Sequence, residues 1–159
     1  GGHRCGTQSP QETLELARQL GADCVVDFSA TAPDAAILAD SRGRGVDVAF
    51  EAAGSPQAIN HCLRVARNAG RVVLIGIPAE VNIELEFHEM RRKELALFNV
   101  RRQNHDASTA LRLLAEARLP FGDLVTHTRP LEAIQSAFRL LENYAEGVGK
   151  AVVLVGPAR

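Results

Sequence analysis

Tryptophan is absent from this 159-residue chain, and aromatic residues of all kinds make up only 4% of it. That leaves little material for the stacked platforms on which single-stranded nucleic acid is bound. No run of about eighteen apolar residues occurs, so no segment is a candidate membrane-spanning helix. The opening "GGHRCGTQSP" also lacks the basic-then-apolar order of a signal peptide. Neither sign of charge dominates: 18 basic and 19 acidic residues give a formal net charge of -1. Such a balance sets up no long-range field toward nucleic acid or an anionic membrane, and neither is expected as a partner. Cys5, Cys24 and Cys62 are odd in number and form no CxxC pair. This usage fits a reducing compartment, expected to be the cytoplasm, rather than a disulfide scaffold. GxGxxG, GxSxG and HExxH are all missing, so the usual dinucleotide turn, hydrolase elbow and zinc-protease helix are not encoded.

What is present is enough apolar residue, 46% of the chain, to build one core of ordinary size. Ser9, Pro10 and Glu12 have the pattern of a capped helix start, and Gly21 its stop. "CVVDF" follows as a short strand, then a helix over "PDAAILADSR" that ends at Gly43. "VDVAFEAA" is a second strand. Ser55 and Pro56 open a helix through "QAINHCLRVAR", with Gly70 as its stop, and "RVVLIG" is a third strand. "VNIEL" reads as a short extended piece and "FHEMRRKE" as one or two helical turns. "LALFNV" is a fourth strand, "DASTALRLLAEARL" a helix ended by Pro120 and Gly122, and "LEAIQSAFRLLENYAEG" an amphipathic helix introduced by Thr128 and Pro130. "KAVVLVG" closes the chain as a strand. Repeated strand–helix alternation with short joints predicts an α/β fold around a parallel sheet. "VVLI" shows no polar alternation, as expected of a strand covered on both faces.

Chemistry is expected where such strands end. Glu51 sits at a strand's carboxyl end and Gly54 follows just before a helix, the edge at which open parallel sheets bind ligands. Glycine permits close backbone approach, and the Ser55–Pro56 helix start offers free N–H groups. A tight joint with a helix cap fits the same residues equally well. "LIGIP" repeats the pattern at Gly76. Arg101 and Arg102 follow "LALFNV", where a guanidinium fork can reach a phosphate or carboxamide oxygen or simply face solvent. Asn99 and Asn104 read as turn formers. No metal site and no catalytic residue is read from the pattern. His61 and Cys62 are adjacent and point apart on a helix, and "HEMRR" lacks the second histidine of HExxH. His127 lies between two threonines, where a structural hydrogen bond is the default reading.

The ordered set "ETLELARQLGAD", "VDVAFEAAGSPQAI", "GRVVLIGIP", "RRKELALFNVRRQNH", "LVTHTRPLEAIQSAF" and "GKAVVLVGP" resembles the C-terminal half of the zinc-dependent medium-chain alcohol and polyol dehydrogenases. The likeness is nearest to the sorbitol and threonine dehydrogenase branch and covers nearly the whole chain from Ser9. It implies oxidation of secondary alcohols or polyols by hydride transfer to NAD or NADP, with zinc held by an N-terminal domain. It also implies that Phe50, Glu51, Ala52 and Gly54 form a coenzyme wall, that Ile75, Gly76 and Ile77 lie beside the nicotinamide, and that Val100, Arg101 and Arg102 touch its end. Arg102 stands at the usual arginine position, while Arg101 replaces a common phenylalanine.

The resemblance divides the chain into an irregular segment over 1–8, a partial Rossmann-like coenzyme domain over 9–124, and a return toward the catalytic domain over 125–159. The family's zinc-ligating domain, and its first coenzyme strand with the glycine-rich turn, have no counterpart in the sequence. Thr7 stands roughly where an acid would bind the adenosine ribose. The expected fold is therefore a partial Rossmann-like parallel sheet lacking its first two strands, with "CVVDF" cut off from the others and completion or rearrangement by dimerisation. The expected role is the coenzyme-binding portion of a dehydrogenase, inactive as an isolated chain and a fragment or truncated product. NAD or NADP and zinc belong to the family, and zinc has no ligands in this sequence. The other reading is a non-catalytic interaction protein, either a homodimer across "LALFN" or a subunit completed by a separate chain.

Overall fold

The structure, a computed structural model, describes residues 5–8, 11–103, 105–116 and 121–156. Ser9, Pro10, Asn104, Leu119 and Pro120 fall outside the described residues, as does the side chain of Glu12. The chain divides into two compact units, one of Thr31–Asp106 and one of Gly1–Ala30 with Ala107–Arg159.

The first of these units contains helix α2 (Pro33–Asp40), strand β3 (Val46–Glu51), helix α3 (Pro56–Val65), strand β4 (Ala66–Leu74), helix α4 (Phe87–Arg92) and strand β5 (Ala96–Asn99). Its sheet is parallel in the order β3-β4-β5, with Ala49 opposite Val72 and Val72 opposite Leu97. The α3 helix begins as its sequence indicates: Ser55 accepts the Ala58 N–H at 3.1 Å and Pro56 occupies the first turn. One face of α3 then carries Ile59 and Leu63 into the interior. Leu63 packs with Ala49, Val65, Ala66 and Val72 to form the core, which Ile37, Leu85, Met90 and Leu97 border.

Residues α3 was expected to include, Ala66 and Arg67, are instead extended. Ala66 has φ -63 and ψ 136, and it pairs with Val46. The helix stops before Gly70 because a tertiary group takes over its last carbonyls: Lys93 Nζ donates to the oxygens of Leu63 and Arg64 at 3.1 and 2.6 Å. The α2 stop lies where glycine was expected, with the Gly43 N–H donating to Leu38 O and φ +77 at Gly43. "VNIEL" forms no strand, and Val81 is almost fully exposed.

In the other unit, strand β1 (Cys5–Gln8) and strand β2 (Cys24–Asp27) flank helix α1 (Gln11–Gln19) and pair in parallel, with Thr7 opposite Val26. This corrects two expectations. The described part of the opening segment is a strand, not irregular chain, and "CVVD" is not left without a partner. "CGTQ" has no apolar alternation to announce a strand. Its extended state comes from backbone pairing with a strand about twenty residues on. Leu14 of α1 is buried, and Gly21 ends the helix with φ +96.

A second ladder joins β6 (Val125–Pro130) to β7 (Lys150–Leu154), again in parallel. Between these strands runs helix α6 (Ile134–Glu142), which buries Ala137 and Leu140. "VTHTRP" was expected only to introduce that helix, whereas it is the first strand of a β–α–β unit. Helix α5 (Ala107–Ala115) lies where periodicity placed it, with every described side chain exposed. All ladders are parallel and joined through helices, so the architecture is α/β with a partial Rossmann-like arrangement.

Candidate functional site: the carboxyl edge of β3, β4 and β5

Three neighbouring parallel strands end together in the unit of Thr31–Asp106, and the sequence-predicted residues gather at that edge. Register places Glu51 beside Leu74 and Leu74 beside Asn99, so Phe50–Gly54, Ile75–Ile77 and Val100–Arg102 leave the sheet at one level. Phe50 and Ile77 are 66% and 79% exposed, and Ile75 and Val100 are also open to solvent. These four apolar side chains, carried on adjacent strand ends, make up the exposed apolar wall. Ala52, Arg101 and Arg102 are exposed too, with Arg102 in the left-handed region at φ +44.

The backbone behind this wall is pressed together. Gly54 has φ +69, and a Cβ there would lie 2.8 Å from Ile77 O. A Cβ on Gly76 would collide with Gly54 N and stand 2.6 Å from Glu51 Oε2. Both glycines are therefore required by close approach of the two loops, as strand-end glycines at a ligand edge are expected to be.

Glu51 is placed differently from its neighbours. It is 2% exposed and is the buried charged residue at this edge. Its Oε1 accepts the N–H groups of Ala53 and Gly54 at 2.8 and 2.7 Å. Its backbone carbonyl accepts those of Ile75 and Gly76 at 2.8 and 3.0 Å. Oε2 is buried without a hydrogen-bond donor. Sequence reasoning took the side chain for part of the wall, and the structure turns it inward beneath that wall. An acid followed by two small residues and a glycine was the available signal, since a carboxylate at a strand end can gather the N–H groups of the turn after it.

Next to this acid, burial pushes the Cys62 thiol up to about 11, and the Glu51 charge adds to the effect. Cys62 is thus kept as a thiol. Among the described residues, no group of three or more His, Cys, Asp or Glu is placed to hold a metal ion. Two of the described histidines are engaged locally. His61 Nδ1 lies 2.8 Å from Arg64 and 3.6 Å from Asp34, and His127 lies near Thr126 and Glu146. The donor set of the described residues does not fit zinc.

The nicotinamide end of a dinucleotide fits what is present: a glycine-floored, apolar edge with two guanidiniums at its rim. No described helix is long and apolar enough to cross a membrane.

Similarity to known proteins agrees with this geometry. Residues 4–116 match the family model described as zinc-binding dehydrogenase. The L-threonine 3-dehydrogenase of Symbiobacterium thermophilum is 33% identical over 145 residues, covering 89% of this chain and 40% of that protein. The sorbitol dehydrogenase of Bacillus subtilis is 28% identical over 124 residues, covering 78% of this chain and 35% of the relative. Among solved structures, 2R,3R-butanediol dehydrogenase from Bacillus subtilis superposes with a TM-score of 0.83 at 27% identity, covering 99% of this chain and 45% of that one. The chain thus spans less than half the length of the relatives it matches. With its family motifs on parallel strand ends and its fold shared across nearly its whole length, the chain belongs to the zinc-binding dehydrogenase family, whose members use zinc and NAD or NADP.

Proposed function

We propose that this chain is the coenzyme-binding portion of an NAD(P)-dependent alcohol or polyol dehydrogenase and is not catalytic by itself. The observation that carries the reading is the Gly54–Gly76 close approach beneath the exposed Phe50, Ile75, Ile77 and Val100. A flat ring laid on that edge meets backbone below and apolar side chains around it, while Arg101 and Arg102 reach its polar substituents. In this reading residues 9–124 form the coenzyme-binding part, and β6, α6 and β7 form the return toward a catalytic domain.

The coenzyme, when bound, supplies the hydride acceptor for oxidation of a secondary alcohol to a ketone, the alcohol's hydroxyl proton being released. This chain's residues orient the ring and keep water from one of its faces. Hydride transfer also needs the alcohol held and polarised in line with that ring. The residues for that step are not found among those described, so isolated activity is not expected. The relatives' substrates, threonine, sorbitol and butanediol, suggest a secondary alcohol flanked by polar groups.

The test is an NMR titration of the 159-residue chain with NAD and NADP. Contact through the nicotinamide end alone predicts shifts at Ile75–Ile77 and Val100 with a dissociation constant on the order of millimolar. Absence of shifts at those residues from a folded sample would overturn the reading. Turnover of a secondary alcohol by the isolated chain, with zinc supplied, would overturn the non-catalytic part.

A second reading is favoured by β5, an outer strand carrying exposed Phe98 and followed by exposed Val100. Two copies pairing edge to edge there would make a dimer with no catalytic role. Sedimentation of the wild type and Phe98→Lys separates the cases: a dimer lost in the variant supports this interface, and a monomeric wild type rules it out.

A further inference from the structure

The acid beneath the wall does more than fill space. Glu51 gathers four backbone N–H groups from two loops: Ala53 and Gly54 on its carboxylate, and Ile75 and Gly76 on its carbonyl. These are the loops whose glycines touch, and the carboxylate lies beside that contact, with Oε2 against the position a Gly76 Cβ would take. Packing alone does not account for an acid here, because a carboxylate oxygen buried without a donor opposes folding. A neutral amide fits worse. Glutamine could keep the acceptor for Ala53 and Gly54, but its NH2 would then take the place of Oε2, buried where no hydrogen-bond partner meets it.

We infer that Glu51 is a positioning residue, touching no ligand itself, whose carboxylate and carbonyl together set the spacing of the Ala53–Gly54 turn from the Ile75–Ile77 segment and so shape the surface that receives a nicotinamide ring. This rests on the coenzyme reading above for the identity of the ligand, though not for the brace itself. Preorganised spacing raises affinity because the loops need no ordering when the ring arrives.

The test compares the wild-type 159-residue chain, Glu51→Gln and, as a control for general loss of stability, Ile59→Val. Ile59 is buried on α3 and touches neither loop's hydrogen bonds. The readouts are backbone amide shifts in the free proteins and the dissociation constant for NAD from shifts at Ile75–Ile77. In Glu51→Gln, the amides of Ala53, Gly54, Ile75 and Gly76 should move together, and NAD affinity should fall roughly fivefold. Ile59→Val should leave both unchanged. Should Glu51→Gln fail to fold, Glu51→Asp, which keeps the charge but shortens its reach to the Ala53 and Gly54 N–H groups, serves as the second variant with the same expected shifts. Unmoved Ile75 and Gly76 amides in whichever variant folds overturn the brace. Moved amides with unchanged NAD affinity overturn the positioning role. If the wild type binds no NAD, the coenzyme reading falls, and the brace stands or falls on the amide shifts alone.

Discussion

At the scale of single residues, the edge depends on two glycines for different reasons. Gly54 needs a left-handed backbone and also faces Ile77 O, so alanine there combines backbone strain with a collision. Gly54→Ala is expected to cost about 1–3 kcal/mol, read as a lower urea midpoint with an unchanged slope. Gly76 is limited by contact alone. Cys62 gives a chemical prediction. A thiol held at about 11 has roughly a hundredfold less thiolate at pH 8 than an ordinary cysteine. Modification by a disulfide reagent should therefore be at least about a hundredfold slower at Cys62 in the native chain than in urea, as followed by peptide mass spectrometry. Native labelling at the unfolded rate would contradict the burial described for this helix. The acid and glycines were legible from sequence as the end of a parallel strand. The inward turn of Glu51 was legible only in part: its carboxylate meets N–H groups two and three residues on, but its burial also needs the Gly76 backbone, distant along the chain.

At the scale of elements, ion pairs tie strand to strand and helix to loop. Asp47 on β3 receives Arg44 at 2.6 Å and Arg67 of β4 at 2.6 Å. The hydrogen bond from Arg44, then that from Arg67, hold its carboxyl well below the usual carboxylate range. Asp34 shows a balance: burial pushes its carboxyl up, but the Arg64 hydrogen bond and the Ala35 N–H together bring it below its ordinary value. Arg64 also pairs with Glu86, so α2, α3 and the segment before α4 meet on one guanidinium. For a carboxyl lowered on folding, the stabilisation is fully present above the unfolded value near 4 and is lost as pH falls through the folded value. Wild-type stability to urea should thus decline below pH ~4, with a shallower decline in Asp47→Asn. Equal slopes in the two proteins would show that this pair contributes nothing. The helices were readable from caps and periodicity, as Ser55 of α3 shows. β1 and β6 were not, because "CGTQ" and "VTHTRP" become strands only when β2 and β7 offer them backbone partners.

At the scale of the whole molecule, the buried cluster of Ala49, Leu63, Val65, Ala66 and Val72 belongs to one compact unit, and buried Ala137, Leu140 and Leu14 to the other. Leu63 is fully buried, and Leu63→Ala is expected to cost about 2–5 kcal/mol by removing methyl groups and leaving a cavity. Amide exchange should quicken in β3, β4 and β5 and remain nearly unchanged in β6 and β7. Equal loss of protection in both sets would show that the units unfold as one.

By itself, the sequence determined the α/β class, most helix positions and the family. Those properties are carried by local periodicity, capping residues and the order of short motifs. Tertiary structure decided the rest. It ended α3 at Val65 through Lys93, made strands of two segments with little strand character, and turned Glu51 under the wall. The first two outcomes come from hydrogen-bond partners supplied by another element, which no window of neighbouring residues contains, and the third is completed by the Gly76 backbone packed against the carboxylate.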